Sequence, residues 1–292
     1  YDAVQTKEGF VLDTANSVLS GTVSVENPLV LEVKYARNQH TLTIDIDGQK
    51  TTSEVYYGAA VAVPADPTKV GYTFDGWNGY TAGMTMPDED VTITAIFTAQ
   101  QFTVTYYTDE TKTAVEYTRT AAYGSGYTVP TPAKVGHEFA GWMNADGSAS
   151  GLAAGATTQI PLNGAEYYAT WTVNNYELVY NAGSGKFDDG TNTATFMTAY
   201  GTAKADWQKP ADPERAGYTF GGWNFNAAPA TMPASRQVVP AIWNQETYNV
   251  IFNDSLSDEI YSEGAYVYND FVAIPDDPEK IGSTFIGWED AE

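Results

Sequence analysis

Leu42, Ile44 and Ile46 alternate with Thr41, Thr43, Asp45 and Asp47. This period of two predicts a strand with one buried face. Asp47-Gly48 follows and supplies a hairpin turn. The same opening returns as Phe102-Thr103-Val104-Thr105-Tyr106, Tyr176-Glu177-Leu178-Val179-Tyr180 and Tyr248-Asn249-Val250-Ile251-Phe252. A second strand is predicted after the openings, ending near Tyr57-Gly58, Tyr123-Gly124 and Tyr200-Gly201. Further on, Met86-Pro87, Ile160-Pro161 or Met232-Pro233 precedes a closing strand such as Val91–Phe97.

Between the second and closing strands one phrase occurs four times with invariant internal spacing. Pro67, Pro132, Pro213 and Pro278 stand four residues before Gly71, Gly136, Gly217 and Gly282. Phe74, Phe139, Phe220 and Phe285 follow, then Gly76, Gly141, Gly222 and Gly287, then Trp77, Trp142, Trp223 and Trp288. Asp66, Thr131, Asp212 and Asp277 precede the prolines as candidate N-caps, and Pro suits a first helical position. With the Gly as a left-handed stop, the segment reads as a single helical turn capped at both ends. The Phe and Trp then plug the core from an extended segment, and the Gly before each Trp marks a bend or close backbone approach.

The joins between repeats are of constant length. Tyr35 to His40, Phe97 to Phe102, Trp171 to Tyr176 and Trp243 to Tyr248 are five residues each, without Gly or Pro and with an Asn or Gln in each. Flexible linkers are rich in Gly and Ser, so these joins read as short and stiff. Length varies elsewhere: Trp77 to Phe97 and Trp223 to Trp243 span 20 residues, whereas Trp142 to Trp171 spans 29. Insertions of this kind map to loops on a repeat scaffold. The register gives whole modules over 40–101, 102–175 and 176–247. Residues 1–39 read as the second half of a truncated repeat, with Gly9-Phe10 and a closing strand Leu29–Val33, and residues 248–292 as a first half.

Composition narrows the function classes. The chain has 292 residues, 14 Lys+Arg against 37 Asp+Glu, and a formal charge of −23. So acidic a surface repels phosphate, against a nucleic-acid partner. No stretch of 18 apolar residues occurs, against membrane insertion in this segment. Zero Cys excludes disulfides and thiolate metal sites. The 21 Tyr, 12 Phe and 7 Trp suit half-buried pleated surfaces.

The phrase P-x-x-P-x-[KR]-x-G-Y-x-F-x-G-W, followed by M-P-x-x-D-V-T-x-x-A-x-F, resembles the internalin-type B repeat, also called the Listeria–Bacteroides repeat. Unit 40–101 fits most closely, through Gly71, Tyr72, Phe74, Gly76, Trp77, Met86, Pro87, Val91 and Phe97. His137 and Ser283 replace the Tyr in two copies, and Ile160-Pro161 replaces Met-Pro in one. Residues 9–35 resemble instead the end of a mucin-binding-protein-type repeat. These resemblances imply a mainly β (α+β) chain of tandem small β-grasp, ubiquitin-like modules in an elongated array. They imply a secreted or wall-attached, extracellular bacterial surface protein, acting in adhesion, in matrix or mucin contact, or as the spacer of a distal head. They bring no catalytic residues.

The remaining residues give little chemistry. His40 and His137 lie at non-equivalent positions, so neither forms a repeated metal or catalytic site. Asp45-x-Asp47-Gly48 and Asn144-x-Asp146-Gly147 open like calcium loops, but the twelfth positions are Tyr56 and Gly155 where a bidentate Glu is needed. Asp88-Glu89-Asp90, Asp188-Asp189 and Asp276-Asp277 read as solvated surface in preference to acid–base pairs. The basic residue two after each Pro (Lys69, Lys134, Arg215, Lys280) is expected to meet turn carbonyls or nearby acids. Tyr56, Tyr57, Tyr80, Tyr106 and Tyr107 are candidates for stacking on sugar rings or for cross-strand packing. The expected function is therefore a non-catalytic, monomeric stalk or adhesin segment without cofactors or metals. Its expected partner is a host-cell or neighbouring-cell glycan or protein. The alternative is a glycan- or mucin-binding module with contacts on the variable loops, and an enzyme ranks last.

Overall fold

A computed structural model of the chain describes residues 6–254 and 259–289. The first five residues of the segment 1–39 and the last three of 248–292 lie outside the described residues. By its contacts the chain divides into two compact units, Tyr1–Thr131 with Trp142–Ala169, and Pro132–Gly141 with Thr170–Glu292.

The first unit opens with a short antiparallel ribbon, β1 (Phe10–Leu12) on β2 (Tyr35–Arg37). The expected strand Leu29–Val33 is absent. Only Glu32 makes a bridge there, to Val18, and Val30 is exposed. With no sheet face to cover, this apolar run has nothing against which to bury its alternation. The four strands that follow are β3 (Gln39–Ile46), β4 (Gln49–Tyr56), β5 (Tyr72–Asn78) and β6 (Val91–Ala99). Asp47 (φ 55°) and Gly48 (φ 84°) turn β3 into β4, the pair of left-handed residues that a type I′ hairpin demands. β5 runs antiparallel to β6, and β6 returns parallel to β3, from Leu42 against Val91 to Asp45 against Thr94. The sheet order is β4-β3-β6-β5. First and last strands thus lie side by side at the centre, where the alternating Leu42, Ile44, Val91 and Ile93 are buried beneath Val61 and Met86.

The pattern recurs with β7 (Gln101–Tyr107), β8 (Val115–Ala122), β10 (His137–Asn144) and β12 (Ala165–Val173), in the order β10-β12-β7-β8. The division between units falls within β10 and β12. The longer stretch before β12 contributes β11 (Thr157–Gln159), which pairs with β9 (Gly126–Thr128). In the second unit β13 (Asn175–Asn181), β14 (Thr193–Ala199), β15 (Tyr218–Trp223) and β16 (Gln237–Gln245) take the order β14-β13-β16-β15. A hairpin of β17 (Thr247–Asn253) and β18 (Ile260–Val267) follows. Among the described residues no α-helix occurs, and the one helical turn is a 3-10 segment at Lys204–Asp206.

The Met-Pro positions lock each sheet to its crossover. The Met86 N–H donates to Ala59 O and its carbonyl accepts from the Gly58 N–H. Ile160 repeats this with Ser125 and Gly124, and Met232 with Thr202 and Gly201. All three side chains are at most 1% exposed.

The helical turn expected after each Pro is not formed. Instead Lys69-Val70-Gly71-Tyr72 is a β-turn in which the Tyr72 N–H donates to Lys69 O at 3.0 Å. His137 to Lys134, Tyr218 to Arg215 and Ser283 to Lys280 repeat it at 3.1 Å, as does Phe10 to Lys7 at 3.0 Å. Gly71 has φ 78°, the left-handed conformation that the third position of a type II turn requires. Too few residues separate Pro from Gly to nucleate a helix, and Asp66, Thr131, Asp212 and Asp277 have no helix to cap. The second Gly of the phrase serves a β-bulge: the β5–β6 register shifts between Phe74 and Gly76, where φ is 128°. The bulge brings Phe74 and Trp77 edge to face at 5.5 Å, and Phe220 and Trp223 at 5.2 Å.

Trp142 is 2% exposed, packs 4.6 Å from the Tyr106 ring and donates from Nε1 to Pro130 O at 3.2 Å. Trp77 and Trp223 are half-buried against their clusters. Trp142→Ala is expected to destabilise by about 3–5 kcal/mol, read as a lowered midpoint in urea unfolding followed by circular dichroism. An unchanged midpoint would show that the ring is not part of the core.

Candidate functional site

The chain repeats one arrangement where consecutive repeats meet. The Tyr57 ring lies on Gly9, Tyr123 on Gly71, Tyr200 on Gly136 and Tyr268 on Gly217, so close that a Cβ on any of these glycines would overlap the ring. Each of the four is also at φ 72–78°. The residue after the Gly presents its ring edge to face with the Tyr in three cases. These are Phe10–Tyr57 at 6.0 Å, Tyr72–Tyr123 at 6.1 Å and His137–Tyr200 at 5.7 Å. A main-chain bridge completes the joint. The Asn38 N–H donates to Gly9 O while Asn38 O accepts from the Tyr57 N–H, both at 2.9 Å. Gln100 bridges Gly71 and Tyr123 in the same way, and Asn174 bridges Gly136 and Tyr200. The Glu246 N–H donates to Gly217 O.

The repeated basic residue belongs to the same place. Lys69 Nζ sits 4.4 Å from the Tyr72 ring centroid and 2.6 Å from Asp47 Oδ1. Arg215 stacks 3.6 Å from Tyr218, Lys7 lies 4.5 Å from Phe10 and Lys134 lies 5.8 Å from Trp171. Lys280 pairs with Asp254 at 2.9 Å. Of the two expected partners, Lys69 and Lys280 meet nearby acids, and aromatic rings take the place of turn carbonyls beside Lys7, Lys69, Lys134 and Arg215.

The first joint carries an additional carboxylate. Asp88 Oδ2 accepts from the Gly9 N–H at 3.0 Å, and Oδ1 accepts from Asn38 Nδ2 at 2.7 Å and lies 2.7 Å from His40 Nε2. The Asn38 hydrogen bond, then the His40 contact, hold the Asp88 carboxyl below its ordinary range. Asp90, two residues on, accepts from the Thr41 N–H.

The other candidates resolve into local structure. Asp45 accepts from the Gly48 N–H, Asp146 from the Ser148 N–H and hydroxyl, and Asp189 from the Thr191 N–H and hydroxyl. Among the described residues no group of three His, Asp or Glu could hold a metal ion. Tyr106 is fully buried. Its hydroxyl is 2.8 Å from that of Tyr127, and burial pushes its pKa up. Tyr57 is taken by the joint, Tyr80 packs on the first core and the Tyr107 hydroxyl donates to Glu166. Tyr56 alone of the five is exposed. The ring-bearing tyrosines Tyr123, Tyr200 and Tyr268 were not predicted as site residues. Their signal was present, as a Tyr at the end of the second strand, followed by Gly after Tyr123 and Tyr200 and by Asn after Tyr268, and an amide side chain in each join.

The sequence pattern of the Listeria-Bacteroides repeat domain matches residues 40–96, 102–162, 176–239 and 248–292. A protein of Evansella cellulosilytica named as a Gly-rich membrane protein is 26% identical over 281 residues, 85% of this chain and 32% of that protein. Another of the same organism, named as a membrane protein, is 28% identical over 211 residues, 69% of this chain and 31% of that protein. Internalin H of Listeria monocytogenes is 33% identical over 144 residues, 46% of this chain and 25% of its own length. The chain thus spans a third or less of these relatives.

Gly71→Ala is expected to cost more than the 1–2 kcal/mol of a left-handed alanine, because the methyl also displaces Tyr123. Gly48→Ala, at φ 84° in open space, is expected to cost only the conformational part. Equal losses in urea midpoints would show that the ring contact contributes nothing. Asp88 gives a pH signature at the first joint. Its folded pKa is lowered, so its contribution is complete above the unfolded carboxylate value of ~3.9 and disappears as pH falls through the lower folded value. Amide exchange at Gly9 is expected to accelerate on acidification through that window in the native chain. The acceleration should be absent in Asp88→Asn, and an identical response in both would remove the role of the carboxylate.

Proposed function

Because the chain belongs to the Listeria-Bacteroides repeat domain family, we propose that it is a non-catalytic spacer and adhesion segment of a bacterial cell-surface or secreted protein. The observation that supports the reading is the joint itself, repeated at Gly9, Gly71, Gly136 and Gly217 with one ring and one turn each. The first three joints use the same two main-chain bonds and the fourth keeps the one to its glycine, a constancy that suits a segment whose task is distance. Each four-stranded sheet with its crossover is then one module, over 40–101, 102–175 and 176–247, with the flanking segments 1–39 and 248–292 as partial repeats. The order second-first-fourth-third, with a parallel central pair, supports a β-grasp-type module whose crossover carries little or no helix. The relatives named as membrane proteins and Internalin H support a surface setting.

A second reading, binding of glycan or mucin, rests on the resemblance of residues 9–35 to a mucin-binding-type repeat and on the longer stretch between β10 and β12. Glycan-array binding by the full chain that is lost on shortening residues 145–156 would favour it. Spacer and binder are separated further by small-angle scattering. Stacked modules give a rod of about 125 Å and a radius of gyration near 35 Å, against about 19 Å for a single compact globule of this length. A value near 19 Å would overturn the spacer.

A further inference from the structure

In each four-stranded sheet the chain enters on one central strand and leaves on the other. β2 reaches β3 after the single residue Asn38, β6 reaches β7 after Gln100, β12 reaches β13 after Asn174 and β16 reaches β17 after Glu246. The entering and leaving strands are hydrogen-bonded to each other in parallel: β3 to β6, β7 to β12 and β13 to β16, four register pairs each. Tension along the chain would pull β3 by its N-terminal end and β6 by its C-terminal end. In a parallel pair these ends lie at opposite ends of the ladder. The load therefore acts along the strands and strains the whole ladder together, instead of opening it bond by bond. The flanking strands β4 and β5, and the loops, lie off this path.

We infer that each sheet is a mechanical clamp and that the chain bears tension between whatever lies on either side of it. The inference rests on the spacer reading for the source of the load, and on the strand registers for the response. Alternating Leu42, Ile44, Val91 and Ile93 keep the β3–β6 ladder covered on its buried face, so water cannot replace its hydrogen bonds until the strands slide. The first clamp is also tied at its entry, where Asp90 accepts from the Thr41 N–H at 2.8 Å.

The chain contains no Cys, so attachment points can be introduced in chosen pairs. The full chain is stretched between DNA handles in optical tweezers through Gln39→Cys with Thr98→Cys, which shears β3 against β6. It is stretched separately through Gln39→Cys with Glu89→Cys, which pulls the same two strands apart from one end. Forced unfolding follows the unfolding rate, so at equal loading rate the shear pair is expected to open at roughly twice the force or more. Asn175→Cys with Asn244→Cys, against Asn175→Cys with Ser235→Cys, repeats the comparison on the third sheet should the first variants misfold. Equal forces in the two directions would overturn the clamp. A compact scattering radius would instead remove the spacer reading and leave this comparison intact, because both attachment points lie within one sheet.

Discussion

An aromatic ring resting on a glycine holds one repeat to the next, and the constraints on the surrounding residues follow from that contact. The glycine meets two demands at once, a left-handed φ and the absence of a Cβ beneath the ring. Either alone would favour Gly; together they leave no alternative. The bridging residue is far less constrained because it works through its main chain, and Asn38, Gln100, Asn174 and Glu246 occupy equivalent positions. The residue after the glycine needs only a ring edge, which Phe10, Tyr72 and His137 all provide. His137 in place of Tyr is thus a substitution within the joint's requirements and carries no separate chemistry.

Beside the joint a basic residue is retained at each turn of a chain with net charge −23. Where an aromatic ring follows the glycine, a cation next to it can gain both the ring quadrupole and a nearby carboxylate, whereas Lys134 takes Trp171 and Lys280 takes Asp254. Lys69 uses both, over Tyr72 and against Asp47, and Arg215 lies flat against Tyr218 as its planar group allows.

Periodicity made most of the strands legible. Thr41–Asp47 alternates cleanly because one face is buried and the other solvated, and the Asp-Gly after it has few conformations besides the hairpin turn. The recurring aromatic spacing likewise exposed the repeats. Two readings failed where local preference was allowed to stand for tertiary context. Pro-x-Lys-x-Gly carries helix-start and helix-stop residues, but its glycine is needed for a β-turn under a neighbour's ring. That neighbour lies some fifty residues on and is invisible to a local pattern. Leu29–Val33 has strand composition but no face to cover. The joint was legible only in fragments, as a Tyr-Gly pair and an amide-bearing join, because nothing local says that the two belong together. Even its exception conforms: at the fourth joint Asn269 replaces the Gly after Tyr268, and Asn269 takes φ 67°, a conformation that Asn tolerates better than most residues.

The arrangement separates what must be constant from what can change. The entering and leaving strands, the turn glycine and the ring on it lie on one continuous covalent and hydrogen-bonded line. Lengthening any of them would shift a register or unseat a ring. The stretch between β10 and β12 and the stretch between β13 and β14 lie off that line, and both have grown without disturbing the order of their sheets. The 145–156 stretch is held by its own turns, with Asn144 and Asp146 bonding Ser148. Loop length enters closure entropy only logarithmically, so such growth costs little. New surface therefore accumulates beside the connected line and not within it. A chain built in this way can acquire binding loops without altering the spacing of the repeats that carry them.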